Sequence, residues 1–245
     1  MEFKLLHLYH DIMDLYGDKG NIKTLEYRLN KRNINFVYET CGIGETKNFS
    51  DYDLIFMGGG ADLEQKILAG DLLSKKTQIK NAMDKGVNFL LVCGGYQLFG
   101  SHYINAKGEK IDGLDLLPYH TERPNANVRC IGNIIINAKL GEKEYEVIGF
   151  ENHSGQTILD NDKYFGKVIS GNGNTFNSSV EGYMDEQVVG TYIHGSLLPK
   201  NPLLADFIIK RALSVKNPYI ILNELDDTME NMAREQIKSQ INSSK

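Results

Sequence analysis

The sequence predicts an α/β protein built on a doubly wound, mostly parallel sheet with added antiparallel strands. Apolar runs of strand length alternate with segments of helical periodicity in the first half of the chain, and the second half changes to short strands separated by turn residues. A length of 245 residues is ordinary for a single α/β domain, so we predict one domain over 1–245. Ligands of such sheets bind at the carboxyl ends of the strands.

The first half predicts a βαβ opening and a third strand. The predicted elements are a strand over 3–9, a helix with Ile22, Leu25 and Leu29 on one face, strands over 34–38 and 53–57, and helical periodicity that follows residue 65 to about Lys85 with a break near Gly70. The third strand ends in three consecutive glycines, at 58–60.

The stretch from Asn88 to Gly100 carries the functional prediction. An apolar strand stops at Cys93, Gly94 and Gly95 follow, and a helix-compatible segment begins. This order is typical of a nucleophile elbow, in which the turn lifts the side chain clear of the sheet. The N–H groups at the helix start, Gly94 foremost, favour a thiolate and can bind an oxyanion. The alternative is a buried core cysteine, which would need neither glycine.

The second half predicts antiparallel strands that extend the sheet, over 131–136, 144–150 and 167–169 and near Val180. A last strand over 187–193 runs into His194. Pro202 opens a helix that ends near Val215, because proline is tolerated in a first helical turn. The tail, about 224–240, predicts a peripheral helix or a docking segment.

Composition excludes several classes of partner and location. A net charge of −5 with interspersed signs argues against nucleic acid and anionic membrane surfaces as partners. Three cysteines far apart in sequence favour a reducing compartment. The amino terminus does not resemble a secretory signal, and no run is long enough to cross a membrane. We therefore expect a cytoplasmic protein without membrane insertion.

A thiolate mechanism needs a base, and histidine is the residue whose pKa suits that task. Of six histidines, His194 is best placed, at the end of a strand that reads as buried. His153, in a polar turn after a strand, is the alternative. For the other four we expect structural or solvent-exposed roles.

Several motifs together resemble the class I glutamine amidotransferases. Within that class the chain is similar to the cobyric-acid-synthase-like branch, and most similar to the glutaminase subunits of lipid II isoglutaminyl synthases. The resemblance covers nearly the whole chain in the same order, and the matching segments are 16–21, the glycine triplet with Asp62 and Gln65, 93–97, 151–153, 191–195 and 197–201.

The resemblance implies a flavodoxin-like sheet and a role for each matching residue. Cys93 would attack the side-chain amide of L-glutamine, and His194 would shuttle the proton. Gly60, in the 58–60 loop, and Gly94 would supply oxyanion N–H groups. Arg129 would bind the α-carboxylate of glutamine, a group that a guanidinium suits; the alternative is a surface arginine beside a strand.

Two positions depart from the pattern of the class. Leu91 replaces the glycine two residues before the cysteine, and Ser196 replaces the glutamate that orients the histidine ring. A hydroxyl cannot offset an imidazolium charge as a carboxylate does. Asp14 and Asp18 are internal candidates for the missing acid. Our hypothesis is that a partner chain contributes an Asp or Glu.

Amidation by released ammonia needs an activated acceptor, and we find no nucleotide site in the sequence. The segment 17–24 resembles a phosphate loop but has Ile22 where glycine is required. We therefore expect no cofactor in this chain, with ATP and Mg²⁺ on another polypeptide. The resemblance implies a heterodimer with a Mur-ligase-like subunit of the MurT type that amidates the D-glutamate of lipid II to D-isoglutamine.

Three alternatives remain open at this point. The chain could be a glutaminase for another acceptor such as a cobyrinate-type compound. It could be a γ-glutamyl hydrolase or cysteine peptidase of similar fold. It could also be an inactive subunit that binds or regulates a partner.

Overall fold

The computed structural model describes residues 1–123 and 128–243, and these form a mixed α/β structure with parallel and antiparallel sheets. The elements up to the elbow are β1 (Glu2–Leu8), α1 (Lys19–Asn30), β2 (Asn35–Cys41), β3 (Leu54–Met57), α2 (Asp62–Ser74), α3 (Lys76–Asp84), β4 (Asn88–Val92) and α4 (Gly94–Phe99). Short 3-10 helices cover Leu15–Gly17, Phe49–Asp51 and Leu198–Lys200.

The second half is richer in strands. Its elements are β5 (His102–Ile104), β6 (Lys110–Asp112), β7 (Tyr119–Glu122), β8 (Cys130–Leu140), β9 (Lys143–His153), β10 (Gln156–Leu159), β11 (Gly166–Ser170), β12 (Val180–Glu181), β13 (Tyr183–Met184), β14 (Val188–Thr191), β15 (Ile193–His194), α5 (Pro202–Ser214) and α6 (Thr228–Ser243).

The main sheet has the strand order β13-β14-β4-β3-β1-β2 and is parallel except for β13. Every residue of β3, β4 and β14 is buried. Their mostly apolar sequences fit a parallel sheet that is covered on both faces. Their carboxyl ends lie side by side, with Met57 opposite Leu91 and Val92 opposite Thr191. The predicted parallel sheet is confirmed.

The prediction that the antiparallel strands of the second half extend this sheet is wrong. The predicted segments become β8, β9, β11 and β12, which lie with β15 in a five-stranded sheet of the order β12-β11-β8-β9-β15, and a four-stranded sheet has the order β10-β7-β5-β6. The main sheet takes in one short antiparallel strand that the sequence did not predict, β13. The two long strands β8 and β9 pair with each other from Cys130 opposite His153 to Leu140 opposite Lys143. This hairpin satisfies its own backbone hydrogen bonds and builds a separate sheet.

Two predicted boundaries also differ. Helix α2 continues through Gly70, and the break before α3 falls at Lys75. One glycine inside a helix costs about 1 kcal/mol, which neighbouring turns can offset. The last strand is interrupted at Tyr192, because β14 lies in the main sheet and β15 pairs with β9 in the five-stranded sheet.

The tail is docked on the body of the protein. The buried guanidinium of Arg28, on α1, binds the carboxylates of Asp206 on α5 and Asp227 just before α6. Ile241 of α6 packs on the side chains of Ile135 and Ile148. Residues 244 and 245, at the predicted frayed end, lie outside the described residues. None of the helices within 1–123 and 128–243 combines the length and apolar character needed to cross a membrane.

Candidate active site

Cys93 stands between β4 and α4 in a backbone conformation that side chains rarely adopt, with φ of 49° and ψ of −105°. The two glycines after it allow close packing against the loop that follows β3. A Cβ on Gly94 would lie 2.9 Å from the Gly60 nitrogen, and one on Gly95 would lie 2.6 Å from the Met57 oxygen. The predicted elbow geometry is therefore present, and the glycines are explained by backbone contact.

His194 ends β15 with its side chain fully buried. Burial alone would lower the pKa of His194, but the neighbouring Cys93 sulfur and Asp18 carboxylate raise it to about 10. An imidazolium beside a thiolate is the charge arrangement that activates a cysteine nucleophile. The two residues that the sequence selected from different strand ends thus interact electrostatically.

Asp18 is the carboxylate nearest to the His194 ring that the structure records. Its Oδ1 atom lies 3.8 Å from His194 Nδ1, beyond hydrogen-bond distance, and both side chains are fully buried. Its Oδ2 atom accepts the Gly59 N–H at 2.7 Å. Asp18 therefore connects the loop after β1 to the glycine loop after β3 and places negative charge beside the imidazole.

Gly59 lies where these side chains converge. A Cβ there would come within 2.9 Å of His194 Cε1, 3.3 Å of Asp18 Oδ2 and 3.4 Å of the Cys93 Cβ. The middle glycine of the triplet is thus required by space.

Ser196 does not replace the missing glutamate. Its hydroxyl donates to the Gly17 carbonyl at 2.6 Å, and a Cβ on Gly20 would lie 2.2 Å from the same hydroxyl. The turn after β15 is thus packed against the amino-terminal end of α1. Asp14, the other internal candidate, pairs with Lys19 instead.

Two N–H groups of the glycine loop and the elbow are already engaged in hydrogen bonds. The Gly59 N–H donates to Asp18 Oδ2, and the Gly95 N–H donates to the Gly58 carbonyl. Gly60 and Gly94 lie against each other beside Cys93. Their N–H groups are the candidates that remain for an oxyanion at the sulfur.

Cys93 opens into a cavity of about 460 Å³, within the range of small-molecule sites. Arg129 lies on its wall and donates from Nε to the side-chain Oδ1 of Asn152 at 2.5 Å. The Asn152 amide donates to the Tyr16 hydroxyl at 2.5 Å, and the Tyr16 ring meets the His194 ring edge-on at 5.0 Å. The structure thereby brings Cys93, His194, Arg129, Gly60 and Gly94 to one place.

Three polar side chains of the cavity region had no assigned role at the level of sequence. Gln65 Nε2 donates to the side-chain Oε1 of Gln97 at 2.8 Å, and Gln97 Nε2 donates to the Tyr192 hydroxyl at 3.1 Å. Both glutamines follow main-sheet strands closely, and their common position after a strand end was the available signal. Tyr192 was hidden inside a predicted strand.

His153, the alternative base, also lies on the cavity wall. Its ring stacks on Tyr192 with centroids 3.7 Å apart, and its Nδ1 atom lies 2.7 Å from the Gly155 carbonyl. That contact makes Nδ1 the donor and fixes the ring against the sheet. Among the residues described, no group of three or more metal-ligating side chains is found.

The fold and this constellation define a glutamine amidotransferase domain. A family model described as a CobB/CobQ-like glutamine amidotransferase domain matches residues 4–202, and the chain belongs to that family. The solved glutaminase domain of the CTP synthase of Trypanosoma brucei, with bound acivicin, has a TM-score of 0.53 over 90% of this chain and 96% of that one, at 12% identity.

Two relatives are both named subunit GatD of the glutamine-hydrolysing lipid II isoglutaminyl synthase. The protein from Streptococcus pneumoniae is 38% identical over 88% of this chain and 82% of its own length. The protein from Staphylococcus aureus is 35% identical over 100% of this chain and 98% of its own. The resemblance inferred from the motifs is confirmed at the level of the family.

The raised pKa of His194 predicts how the reactivity of Cys93 depends on pH. The imidazolium persists below about pH 10 and is lost as the pH rises through that value. A cation beside a thiol favours the thiolate, so we expect alkylation by iodoacetamide to be fast near neutral pH. In His194→Gln an unassisted thiol with a pKa of about 8.5 should react roughly 100-fold more slowly at pH 6.5. Mass spectrometry of the Cys93 peptide measures the rate, and buried Cys41 and Cys130 are internal controls. Equal rates in the two proteins would contradict the ion pair.

The packing around Gly59 gives a second prediction, with a matched control. Gly59→Ala should displace the His194 ring and slow Cys93 alkylation at pH 6.5 at least tenfold, with the fold retained. Gly70→Ala adds the same methyl group where nothing lies within 4 Å. It should leave the rate unchanged and raise the free energy of unfolding by about 0.5–1 kcal/mol. Equal alkylation rates for Gly59→Ala and wild type would show that a methyl group at position 59 does not displace the His194 ring.

Proposed function

We propose that this chain is the glutaminase subunit of a lipid II isoglutaminyl synthase. It would hydrolyse L-glutamine to glutamate and ammonia and pass the ammonia to an ATP-dependent synthetase partner. The observation that carries the proposal is Cys93 on its strained turn, facing the 460 Å³ cavity, with His194 and Asp18 behind it. The two relatives supply the acceptor part of the proposal.

The chemistry follows from the positions of the side chains. Glutamine binds with its α-carboxylate on Arg129, and the Cys93 thiolate attacks the carboxamide carbon. The oxyanion that forms accepts hydrogen bonds from the Gly60 and Gly94 N–H groups, and one such donor lowers the barrier by about 3 kcal/mol. The C–N bond then breaks, and the His194 imidazolium gives its proton to the departing ammonia.

The second half of the reaction returns the enzyme to its starting state. Water attacks the glutamyl thioester, and neutral His194 takes a proton from it as the C–S bond breaks. Glutamate leaves, and the thiolate and imidazolium are restored. No group outside this chain is needed for hydrolysis itself, apart from what orients the imidazole ring.

Amidation of an acceptor needs the partner. Activation of a carboxylate calls for ATP and Mg²⁺, which we place on a Mur-ligase-like subunit of the MurT type in a heterodimer. The acceptor would be the D-glutamate of lipid II, and the product D-isoglutamine, for peptidoglycan synthesis. A cytoplasmic location, as expected from the scattered cysteines, belongs to the same proposal.

The decisive assay supplies amide-¹⁵N-glutamine, ATP, Mg²⁺ and lipid II to the complex copurified with its natural partner. The expected result is ¹⁵N in the stem peptide of lipid II, located by fragmentation at the α-carboxyl of D-glutamate. Labelling of a cobyrinate-type acceptor in place of lipid II would reassign the acceptor but keep the glutaminase. Cleavage of γ-glutamyl peptides without action on free glutamine would make the chain a hydrolase.

Variants of the same complex test the assigned residues. Cys93→Ala should abolish ammonia release from glutamine, whereas Cys41→Ala, which removes a buried sulfur elsewhere, should retain it. Arg129→Ala should raise KM for glutamine at least tenfold with a smaller change in kcat, because it removes a binding contact to a group that does not react. An unchanged KM would return Arg129 to the role of a surface arginine.

The proposal includes an acid from the partner, with the specific role of accepting a hydrogen bond from the His194 ring. Asp18 gives His194 a nearby negative charge, but at 3.8 Å it does not accept a hydrogen bond from Nδ1. We propose that the partner supplies the accepting carboxylate. Tyr16, which is 46% exposed and lies edge-on to the ring, would have to move to admit it.

This version predicts weak glutamine hydrolysis by the isolated subunit and a rise of tenfold or more when the partner is added. The partner should stimulate the Asp18→Asn variant as well, because its carboxylate acts separately. Full activity of the isolated wild-type subunit would remove the need for a partner acid. Complete loss in Asp18→Asn, with and without partner, would make Asp18 the orienting acid.

A further inference from the structure

The chain segment that carries His194 passes from the main sheet to the five-stranded sheet at Tyr192. Thr191 is the last residue of β14, Ile193 is the first of β15, and only Tyr192 lies between the two sheets. A backbone that changes sheets loses the neighbours that would accept its N–H groups. Because those groups are buried, other acceptors must be found for them.

Glu181 and Thr191 provide these acceptors. The Tyr192 N–H donates to Glu181 Oε1 at 2.7 Å, and the Ile193 N–H donates to Thr191 Oγ1 at 3.0 Å. The Thr191 hydroxyl oxygen lies 3.0 Å from both carboxyl oxygens of Glu181. A single acidic side chain therefore links the residues on which the position of His194 depends.

The burial of the Glu181 side chain is explained by these hydrogen bonds. It belongs to the two-residue strand β12, and its side chain is fully buried. A buried carboxyl is costly unless its hydrogen bonds are satisfied, and each contact given above involves the backbone or the hydroxyl of the crossover. An apolar residue would fill the space but leave the Tyr192 N–H without this acceptor.

The hydrogen bonds also fit a protonated carboxyl. Oε1 accepts from the Tyr192 N–H and from the Thr191 hydroxyl. In the protonated acid, Oε2 would donate its proton to Thr191 Oγ1, which lies 3.0 Å away. Burial raises the pKa of Glu181 to about 8, with Glu151 on β9 acting in the same direction. The Tyr192 N–H, the Thr191 hydroxyl and His194 on β15 act against it. At neutral pH the uncharged acid predominates.

We propose that Glu181 is a positioning residue for His194, acting as a neutral acid that clamps the crossover through Tyr192 and Thr191. It does not touch the substrate. Its effect is on the position of the imidazole relative to the Cys93 sulfur. The inference rests on the proposed function only for its activity readout.

Two substitutions at Glu181 distinguish a hydrogen-bonding role of its side chain from a role in packing alone. Glu181→Gln keeps an acceptor for the Tyr192 N–H and a donor for Thr191, as the neutral acid does. Glu181→Met has a similar length and offers neither. In the copurified complex, Glu181→Gln should retain kcat within about twofold, and Glu181→Met should lose tenfold or more in kcat with little change in KM for glutamine.

Alkylation of Cys93 gives a readout that needs no glutamine chemistry. Its pH profile below pH 8 should be the same in wild type and Glu181→Gln, and should shift towards that of an unassisted thiol in Glu181→Met. If wild type shows the profile but no glutaminase activity, the proposed function fails and the positioning role stands. A residue that only stabilised the fold would change the melting temperature and leave the profile of the folded fraction unchanged.

A second pair of variants covers the case in which Glu181→Met does not fold. Thr191→Ser keeps the hydroxyl of the clamp, and Thr191→Val removes it with nearly the same volume. Serine should retain the alkylation profile and valine should lose it. Wild-type behaviour of both Glu181→Met and Thr191→Val would overturn the proposal. Equal losses in Glu181→Gln and Glu181→Met would overturn the neutral-acid role, since charge would then be required.

Discussion

The site depends on one buried carboxylate. Asp18 accepts the Gly59 N–H with one oxygen and faces the His194 imidazole with the other, so it fixes a glycine loop and supports a cation at the same time. A buried charge is tolerated only where it is paired and hydrogen-bonded. The close approach of Gly59 to Cys93 and His194 follows from this arrangement, because any side chain at position 59 would separate them.

The same arrangement accounts for the departure of this chain from the usual order of catalytic residues. In class I enzymes the orienting acid follows the histidine by two residues, on the same turn. Here that turn is packed on Gly17 and Gly20 of the α1 end, and Ser196 is bonded to a backbone carbonyl. The negative charge beside the ring comes instead from Asp18, in the loop after β1.

The catalytic pair is also shared between two sheets. Cys93 follows β4 in the main parallel sheet, and His194 ends β15, which pairs with β9 of the antiparallel sheet. The position of the imidazole therefore depends on the β8–β9 hairpin, which pairs with β15, and on β14, which precedes β15 in the chain. The cavity lies among the loops of these sheets, with Arg129 and Asn152 contributed by the antiparallel one. A glutamine site built this way is sensitive to how the two sheets meet.

Several elements of the fold and two residues of the site could be predicted from local sequence patterns. The apolar runs of β3 and β4, the two glycines after Cys93 and the helix that begins at Pro202 are local features. Strand burial, close backbone approach and proline at a helix start are each specified by a few neighbouring residues. Cys93 and His194 were identified because each stands at a strand end. Strands β4 and β14 run parallel with Val92 opposite Thr191, so Cys93 and the segment that leads to His194 leave the main sheet at the same edge.

Other features depended on contacts between residues far apart in the chain, and only the tertiary structure decided them. Asp18 was one of two loop acids until its burial beside Gly59 distinguished it from Asp14. The break at Tyr192 was invisible, because a strand that changes sheets keeps the same alternation of apolar residues. Glu181 looked like an ordinary acid in a turn-rich region, whereas its carboxyl holds the backbone two residues before His194. Sequence determines which side chains have the chemistry, but the packing of separate segments determines which of them lose their water and meet.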